Sequence, residues 1–303
     1  MKAQPAQPPG LAGYLCAIGA TAIWSGNFIV ARDLSSTIPP VSLAFWRWTV
    51  AVLVFLPFAL RPLLNERLLL REHLGYLSIT ALLGITIFNT LIYLAGHTTT
   101  ALNLSLIAIT FPVFIVILLR ILFRDPITLN KSLGILLVAG GVILLITNGD
   151  LAALLEISFT LGDLWMVTAS LIFALYSILI RYKPQGLSIW AFQLGTFLLG
   201  LLFLFPLFIW ESMQVPTIHF DTKALLSIAY VGVFASLTAF ILWNKAIVSI
   251  GPTKSGMIYY TLPLFSGLLA FIFLDEQVGI LHLGSALLII SGILIANQNR
   301  RGS

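Results

Sequence analysis

Residues 23–32 read IWSGNFIVAR and residues 172–181 read IFALYSILIR, so two similar apolar stretches begin 149 positions apart. Further along the chain, ITFPVF at 109–114 matches YTLPLF at 260–265 with nearly the same offset. These landmarks follow one another in the same order in the two halves. The sequence therefore predicts an internal repeat at half the length of the chain.

The composition is that of a membrane protein. The 303-residue chain is 59% hydrophobic and 9% charged, whereas soluble domains contain about 25% charged residues. A spanning helix needs roughly 20 mostly apolar residues, and the continuous apolar runs are unlike the short alternating segments of a β-barrel. The connections between these runs leave no room for a soluble domain. The predicted spans are 11–31, 40–60, 74–95, 100–119, 131–148, 162–180, 188–210, 224–244, 254–274 and 280–297.

Basic residues cluster on one side of these spans. Thirteen of the 16 Lys and Arg residues would lie on that side, and cytoplasmic loops of membrane proteins are rich in such residues. Both termini are therefore predicted to be cytoplasmic, in a multi-pass protein of the cell inner membrane. The thirteen are Lys2, Arg61, Arg67, Arg71, Arg120, Arg124, Lys131, Arg181, Lys183, Lys245, Lys254, Arg300 and Arg301.

Each predicted repeat, in residues 1–148 and in residues 149–303, holds five spans. Because five is odd, the second copy must enter the membrane from the opposite side to the first. Two inverted copies related by a pseudo-two-fold axis in the membrane plane are a recurring transporter architecture, with a binding site near the axis. The predicted fold is an all-α integral membrane protein of ten transmembrane helices in two inverted five-helix repeats.

Several residues occur in an order typical of a known family. They are Trp24 followed by Arg32, Arg47 early in the second span, the prolines of FPVF and LPLF, and the pair Asp275–Glu276 after the ninth span. With the ten spans, this order resembles the EamA-like branch of the drug/metabolite transporter superfamily over the whole chain. The resemblance implies export of amino acids and related metabolites. The acidic end of the fourth span departs from the pattern, since RDP (124–126) stands where the second half has LDE (274–276).

Polar and aromatic residues recur at bilayer depth on spans 1, 3, 6, 8 and 9. Unpaired polar groups are costly in hydrocarbon, so such side chains usually face the bundle interior or water. We expect a central cavity with aromatic walls and a few hydrogen-bonding groups. The alternatives are interfacial aromatic belts, which suit Trp165, Trp190, Trp210 and Trp243, and polar contacts between helices. The predicted substrate-binding residues are Trp24, Asn27, Phe28, Asn89, Tyr93, Tyr176, Ser177, Trp243, Asn244, Tyr259 and Tyr260.

Arg47 is the only charged residue well inside a predicted span. It could anchor a substrate carboxylate, or it could be a structural residue that caps carbonyls or reaches the outer interface. The resemblance favours the structural role, because it places this arginine on a peripheral helix. His97 is expected in an exposed outer turn. Pro112 and Pro263 are the predicted hinges.

All eleven acidic residues fall at the ends of predicted spans or in loops. A proton-driven carrier usually keeps a buried carboxylate relay, so downhill transport or exchange is expected instead. The chain has no phosphate-binding loop for ATP and no cluster with metal-ligand spacing. Its single cysteine, Cys16, excludes a disulfide and a cysteine-ligated zinc site. The sequence predicts neither an enzyme nor a bound cofactor or metal.

These expectations combine into a carrier that exports hydrophobic or aromatic amino acids by alternating access, since aromatic walls suit a solute with an apolar body and a polar head. The expected partners are this small solute and the lipid bilayer, with no nucleic acid, and the chain is expected to be a monomer. One alternative is an efflux carrier for drugs or amphipathic cations. Another is a membrane assembly subunit that transports nothing.

Overall fold

The computed structural model describes residues 10–34, 38–99, 104, 107–147, 149–150, 152, 160–215, 221–274 and 280–298. All regular structure in these ranges is helical. The helices, with two π-helical segments named π1 and π2, are α1 (Leu11–Leu34), α2 (Pro40–Asn65), α3 (Arg67–Glu72), α4 (Leu74–Ala81), π1 (Leu82–Ile87), α5 (Phe88–Thr98), α6 (Thr110–Phe123), α7 (Leu129–Ile146), α8 (Leu161–Ile180), α9 (Ile189–Ser212), α10 (Thr222–Tyr230), π2 (Val231–Thr238), α11 (Ala239–Tyr259), α12 (Leu262–Leu274) and α13 (Ile280–Asn297).

Within this described part of the chain, six helical stretches are long and apolar enough to cross a membrane. Three shorter apolar helices, Leu11–Gly26, Thr110–Phe123 and Leu129–Leu145, accompany them. The protein is therefore a multi-pass membrane protein. The six are Pro40–Asn65, Leu74–Thr98, Leu161–Ile180, Ile189–Ser212, Thr222–Tyr259 and Ile280–Asn297.

The break between the predicted eighth and ninth spans falls in the expected gap between them, and a second break lies inside the predicted ninth span. Helical structure continues to Tyr259, but Gly251 interrupts it with φ 83° and ψ 162°. Glycine adopts this conformation without steric cost, and Pro252 directly after it has the φ that suits a helix start. The chain therefore changes direction at Gly251, between the two spans, and breaks again at Tyr260 before α12 begins.

The predicted hinge prolines stand in the first turns of their helices. Pro112 is the third residue of α6, which follows a turn at Ile109, and Pro263 is the second residue of α12. Proline is tolerated in a first turn because the amide there needs no helical partner. Neither residue kinks a continuous helix; the break in each case lies before the proline. Hinge motion at these positions stays a prediction.

The two π-helical segments have equivalent places in the two halves. Their first residues, Leu82 and Val231, are 149 positions apart, which is the offset of the apolar stretches at the start of the repeat. The helices also pack in corresponding pairs. Helix α2 packs on α9, α7 packs on α13, and the contact of α1 with α11 corresponds to that of α8 with α5. Every pair joins one helix from each half, so the core lies between the halves.

Candidate functional site

A partly open cavity lies between helices of both halves. It contains about 390 Å³ of empty space, including the part that is continuous with the outside. Its described lining is mostly aromatic, with one amide and one cation. The lining residues are Trp24, Arg47, Phe88, Asn89, Ile92, Phe173, Phe240 and Tyr259.

Arg47 is the cation on this wall, and its side chain is only 2% exposed. Its Nε donates to Oγ of Ser236 at 2.6 Å, and its Nη1 donates to the hydroxyl of Tyr93 at 2.5 Å. Among the described residues, Arg47 thus bonds to side chains rather than to backbone carbonyls, and whether it is structural or binds substrate stays a prediction. Both of its partners are side chains from other helices, and they hold the guanidinium at the cavity.

The charge of Arg47 has no acidic partner among the lining residues. Nη2 makes no hydrogen bond to any residue that the structure describes, so one edge of the guanidinium keeps free donors. A buried cation is costly unless it is paired. A guanidinium binds a carboxylate well because its N–H groups form a planar fork. The free edge of Arg47 is therefore chemically suited to an anionic group.

Segment π2 supports both Arg47 and Trp24. The hydroxyl of Ser236 donates to the carbonyl of Val231 at 3.0 Å, which directs its lone pairs toward Nε of Arg47. The indole N–H of Trp24 donates to the carbonyl of Ala235 at 2.9 Å. Single π-turns are rare and occur often at functional sites, because they alter which carbonyls are left for side chains.

Asn89 plays the matching role at π1. Its Nδ2 donates to the carbonyls of Gly84 and Ile85, both at 3.1 Å. Because the two carbonyls can only accept, the amide nitrogen must point toward them and Oδ1 is left as an acceptor. Oδ1 makes no hydrogen bond to the described residues. Asn89 therefore offers the cavity an acceptor, which complements the free donors of Arg47.

Aromatic rings form the rest of the wall. Trp24 meets Phe173, Phe240 and Tyr259 edge-on at centroid distances of 5.6, 5.7 and 6.2 Å. Phe88 stacks on Phe173 at 4.2 Å. Aromatic faces and edges attract both apolar groups and other rings, so the walls suit a solute with a flat or bulky apolar body.

The predicted site residues divide between this wall and other places. Trp24, Asn89 and Tyr259 line the cavity, and Tyr93 contacts it through Arg47. Tyr260 packs instead in a separate apolar cluster with Val116, Val138 and Ile289. His97 is exposed near the end of α5, as expected. The side chains of Asn27 and Phe28 lie outside the described residues.

Four further predicted residues, Tyr176, Ser177, Trp243 and Asn244, lie behind the wall rather than on the described lining. Trp243 packs on Trp24 and donates from Nε1 to Oγ of Ser177 at 3.1 Å. Tyr176 donates to Oδ1 of Asn244 at 3.0 Å. These polar groups satisfy one another, and that is why they can be buried without facing a cavity.

The wall residues that the sequence did not single out are mostly apolar. Phe88, Ile92, Phe173 and Phe240 look like any lipid-facing residue in a hydrophobic run, so no local signal marks them. Ser236 could have been noticed as a hydroxyl at depth. It aligns with an apolar residue of the first half, Ile87, and so the repeat did not point to it.

An apolar helical bundle with a buried arginine and an amide on an aromatic-walled cavity has the form of a membrane transporter. The chain belongs to the EamA-like transporter family, which matches residues 11–147 and again residues 160–298. It is 26% identical over 291 residues to an "Uncharacterized transporter" of Archaeoglobus fulgidus, with 92% of this chain and 94% of that protein covered. It is 25% identical over 284 residues to the "Uncharacterized transporter YyaM" of Bacillus subtilis, with 94% and 93% covered.

Among solved structures with a similar fold is a crystal structure of a protein. It superposes with a TM-score of 0.74 and covers 94% of this chain and 96% of its own, at 19% sequence identity. At that identity the likeness concerns the fold alone.

Proposed function

We propose that this transporter exports hydrophobic or aromatic amino acids across the cell inner membrane. The observation that carries the proposal is the guanidinium of Arg47 on an aromatic-walled cavity, held by Tyr93 and Ser236 and without an acidic partner among the described lining residues. An amino acid has the matching parts, because its carboxylate would meet Arg47 and its ammonium group Oδ1 of Asn89. Its apolar side chain would lie among the rings of Trp24 and Phe173.

We propose that transport proceeds by alternating access between two inverted five-helix halves, with both termini cytoplasmic. The equal offset of π1 and π2, the helix pairs that join the halves, and the two separate family matches support this arrangement. The described lining contains no Asp or Glu. That supports exchange or downhill movement, without a carboxylate proton relay at the midplane.

The aromatic rings also suit the efflux of amphipathic cations, since rings attract cations through their faces. The positive charge of Arg47 opposes this alternative, because a like charge on the wall would repel a cationic solute. An assembly subunit that transports nothing would have no use for a polar cavity. The narrower resemblance to the aromatic amino-acid exporter YddG stays a prediction.

Counterflow in proteoliposomes tests the proposal. Vesicles preloaded with phenylalanine or leucine are offered the labelled amino acid, its decarboxylated amine, or an amphipathic cation. We expect exchange of the amino acids and little movement of the amines, which lack the group that Arg47 would bind. Uptake of the cation with none of the amino acids would establish the drug-efflux alternative. No flux of any solute would favour the assembly subunit.

A further inference from the structure

A second cluster of buried polar side chains lies toward the other end of the helix bundle from Arg47. The end of α8 and the start of α9 are joined by a short loop at one edge of the bundle. Tyr176 is four residues before the end of α8, and Gln193 is four residues after the start of α9, so each is roughly 6 Å from this edge. The carboxylate of Glu66 accepts from the backbone N–H of Ser188 at 2.7 Å, which places the end of α2 at the same edge. Arg47 lies 18 residues before that end, about 27 Å along the helix.

The cluster is a directional chain of hydrogen bonds. The hydroxyl of Tyr176 donates to Oδ1 of Asn244 at 3.0 Å, and Nδ2 of Asn244 donates to Oε1 of Gln193 at 2.7 Å. At the end of the chain, Nε2 of Gln193 is buried and has no hydrogen-bond partner in the described structure. All three side chains are at most 2% exposed. A buried donor without an acceptor is costly, so such a group needs an explanation.

Two phenylalanine rings separate this cluster from the cavity. Phe173 and Phe240 both line the cavity, and both contact the ring of Tyr176, at centroid distances of 5.6 and 5.9 Å. The two rings are also in contact with each other at 6.3 Å. Both rings therefore lie between the cavity and Tyr176, the first member of the hydrogen-bond chain that ends at Gln193.

We infer that Gln193, Asn244 and Tyr176 form a second, inner subsite for the carboxylate of the transported solute. It would be occupied when Phe173 and Phe240 separate. This inference rests on the proposed function and on the predicted orientation, in which the edge near Ser188 is cytoplasmic. The inner subsite presents the free amide donor of Gln193, which carries no charge and is held in place by Asn244 and Tyr176. A solute held there could pass to Arg47 without first breaking a strong ion pair.

Side-specific counterflow tests the subsite. Proteoliposomes are sorted by orientation with an impermeant thiol reagent that reacts with Gln185→Cys, an exposed loop position, in a Cys16→Ala background. Half-saturation by the labelled amino acid is then measured from each face. Gln193→Leu removes the free donor, and Gln193→Glu replaces it with a group that repels a carboxylate.

We expect both substitutions to raise the half-saturation concentration at the face near Ser188 by roughly tenfold or more, as loss of a hydrogen bond to a charged group does. Half-saturation at the opposite face should stay near that of the unmodified protein. Thr196→Val is the matched control. Thr196 is buried on the same helix, but its hydroxyl bonds only to carbonyls of its own helix.

The outcomes separate the two proposals. If the unmodified protein moves no amino acid, the proposed function fails and the subsite fails with it. If it transports normally and the Gln193 variants keep the inner half-saturation, the subsite alone is overturned. Equal changes at both faces, accompanied by a lower unfolding temperature, would make Gln193 a packing residue and would also overturn it.

Discussion

Glu66 and Glu211 cap helix starts reciprocally: Glu211, at the end of α9, caps the start of α2, and Glu66, at the end of α2, caps the start of α9. The carboxylate of Glu211, on the last turn of α9, accepts from the backbone N–H groups of Val41 and Ser42 at 3.0 and 2.7 Å, at the start of α2. Glu66, directly after α2, accepts from the N–H of Ser188 at the start of α9. Carboxylates at helix starts satisfy amides that lack helical partners and complement the helix dipole. The antiparallel pair of α2 and α9 is thus closed at both edges.

Removing one of these caps should weaken the pair. We expect Glu211→Ala to lower the free energy of unfolding by about 0.5–2 kcal/mol, the usual cost of losing a helix cap. Equilibrium unfolding in detergent micelles measures it. Glu211→Gln, which keeps an acceptor but not the charge, should cost less. A Glu211→Ala protein as stable as the unmodified chain would show that the cap contributes nothing.

Arg47 should discriminate solutes by their carboxylate. We expect Arg47→Gln to raise the half-saturation concentration for amino acids by roughly 10–100-fold, because charge-assisted hydrogen bonds are lost. Arg47→Lys should recover only part of this, since a lysine lacks the planar fork. The slight uptake of decarboxylated amines should stay the same or rise, because the substitution removes a positive charge that repels them. Arg61→Gln, which removes a charge at the far end of the same helix, is the control. Equal losses for amino acids and amines would contradict a role in carboxylate binding.

The close contact between α7 and α13 depends on Gly134. A Cβ added there would lie 2.5 Å from the carbonyl oxygen of Gly292 and 2.5 Å from Cβ of Ala296. Small residues allow such approaches between membrane helices. We expect Gly134→Ala to lower stability by about 1–3 kcal/mol through overpacking. Gly140→Ala on the same helix meets nothing within 4 Å and should be neutral or stabilising. Thermal unfolding of the two variants side by side tests this, and similar midpoints would refute it.

Gly84, within π1, makes room for the ring of Tyr176. Its added Cβ would lie 2.3 Å from two carbons of that ring. Gly84→Ala should therefore displace Tyr176 from Asn244 and destabilise the protein by about 1–3 kcal/mol. Gly75→Ala, in α4 of the same span, has nothing within 4 Å and serves as control. Because the clash is with one side chain, Tyr176→Ala should reduce the cost of Gly84→Ala. Additive losses in the double variant would argue against this contact.

Lys183 should make stability depend on pH. It lies in the loop between α8 and α9, donates to the carbonyl of Leu187, and is 7% exposed. Burial lowers its pKa from 10.5, partly offset by the nearby charge of Glu66. Between the lowered pKa and 10.5, the unfolded chain binds more protons, so stability should rise with pH. Lys183→Gln should remove this rise in unfolding experiments across that range. An identical pH profile in the variant would exclude Lys183 as its source.

The sequence alone determined that this is a multi-pass helical membrane protein and identified Trp24, Asn89 and Tyr259 as residues at depth. These properties are local. Hydropathy over about 20 consecutive residues decides membrane insertion, and a polar or aromatic side chain within an apolar run can be read directly from the sequence. The second break, at Tyr260 inside the predicted ninth span, and the two π-segments were not predicted. They depend on small changes in backbone hydrogen bonding that hydropathy does not record.

Only the tertiary structure decided which side chains Arg47 contacts. Its partner Ser236 is 189 positions away, and Tyr93 is 46 positions away. In the same way, Tyr176 reaches Asn244 only because α8 packs against α11. Whether a buried polar group lines a cavity or bonds to another side chain depends on which helices pack together and so bring their polar atoms within about 3 Å of each other. Hydropathy and residue order do not contain that information.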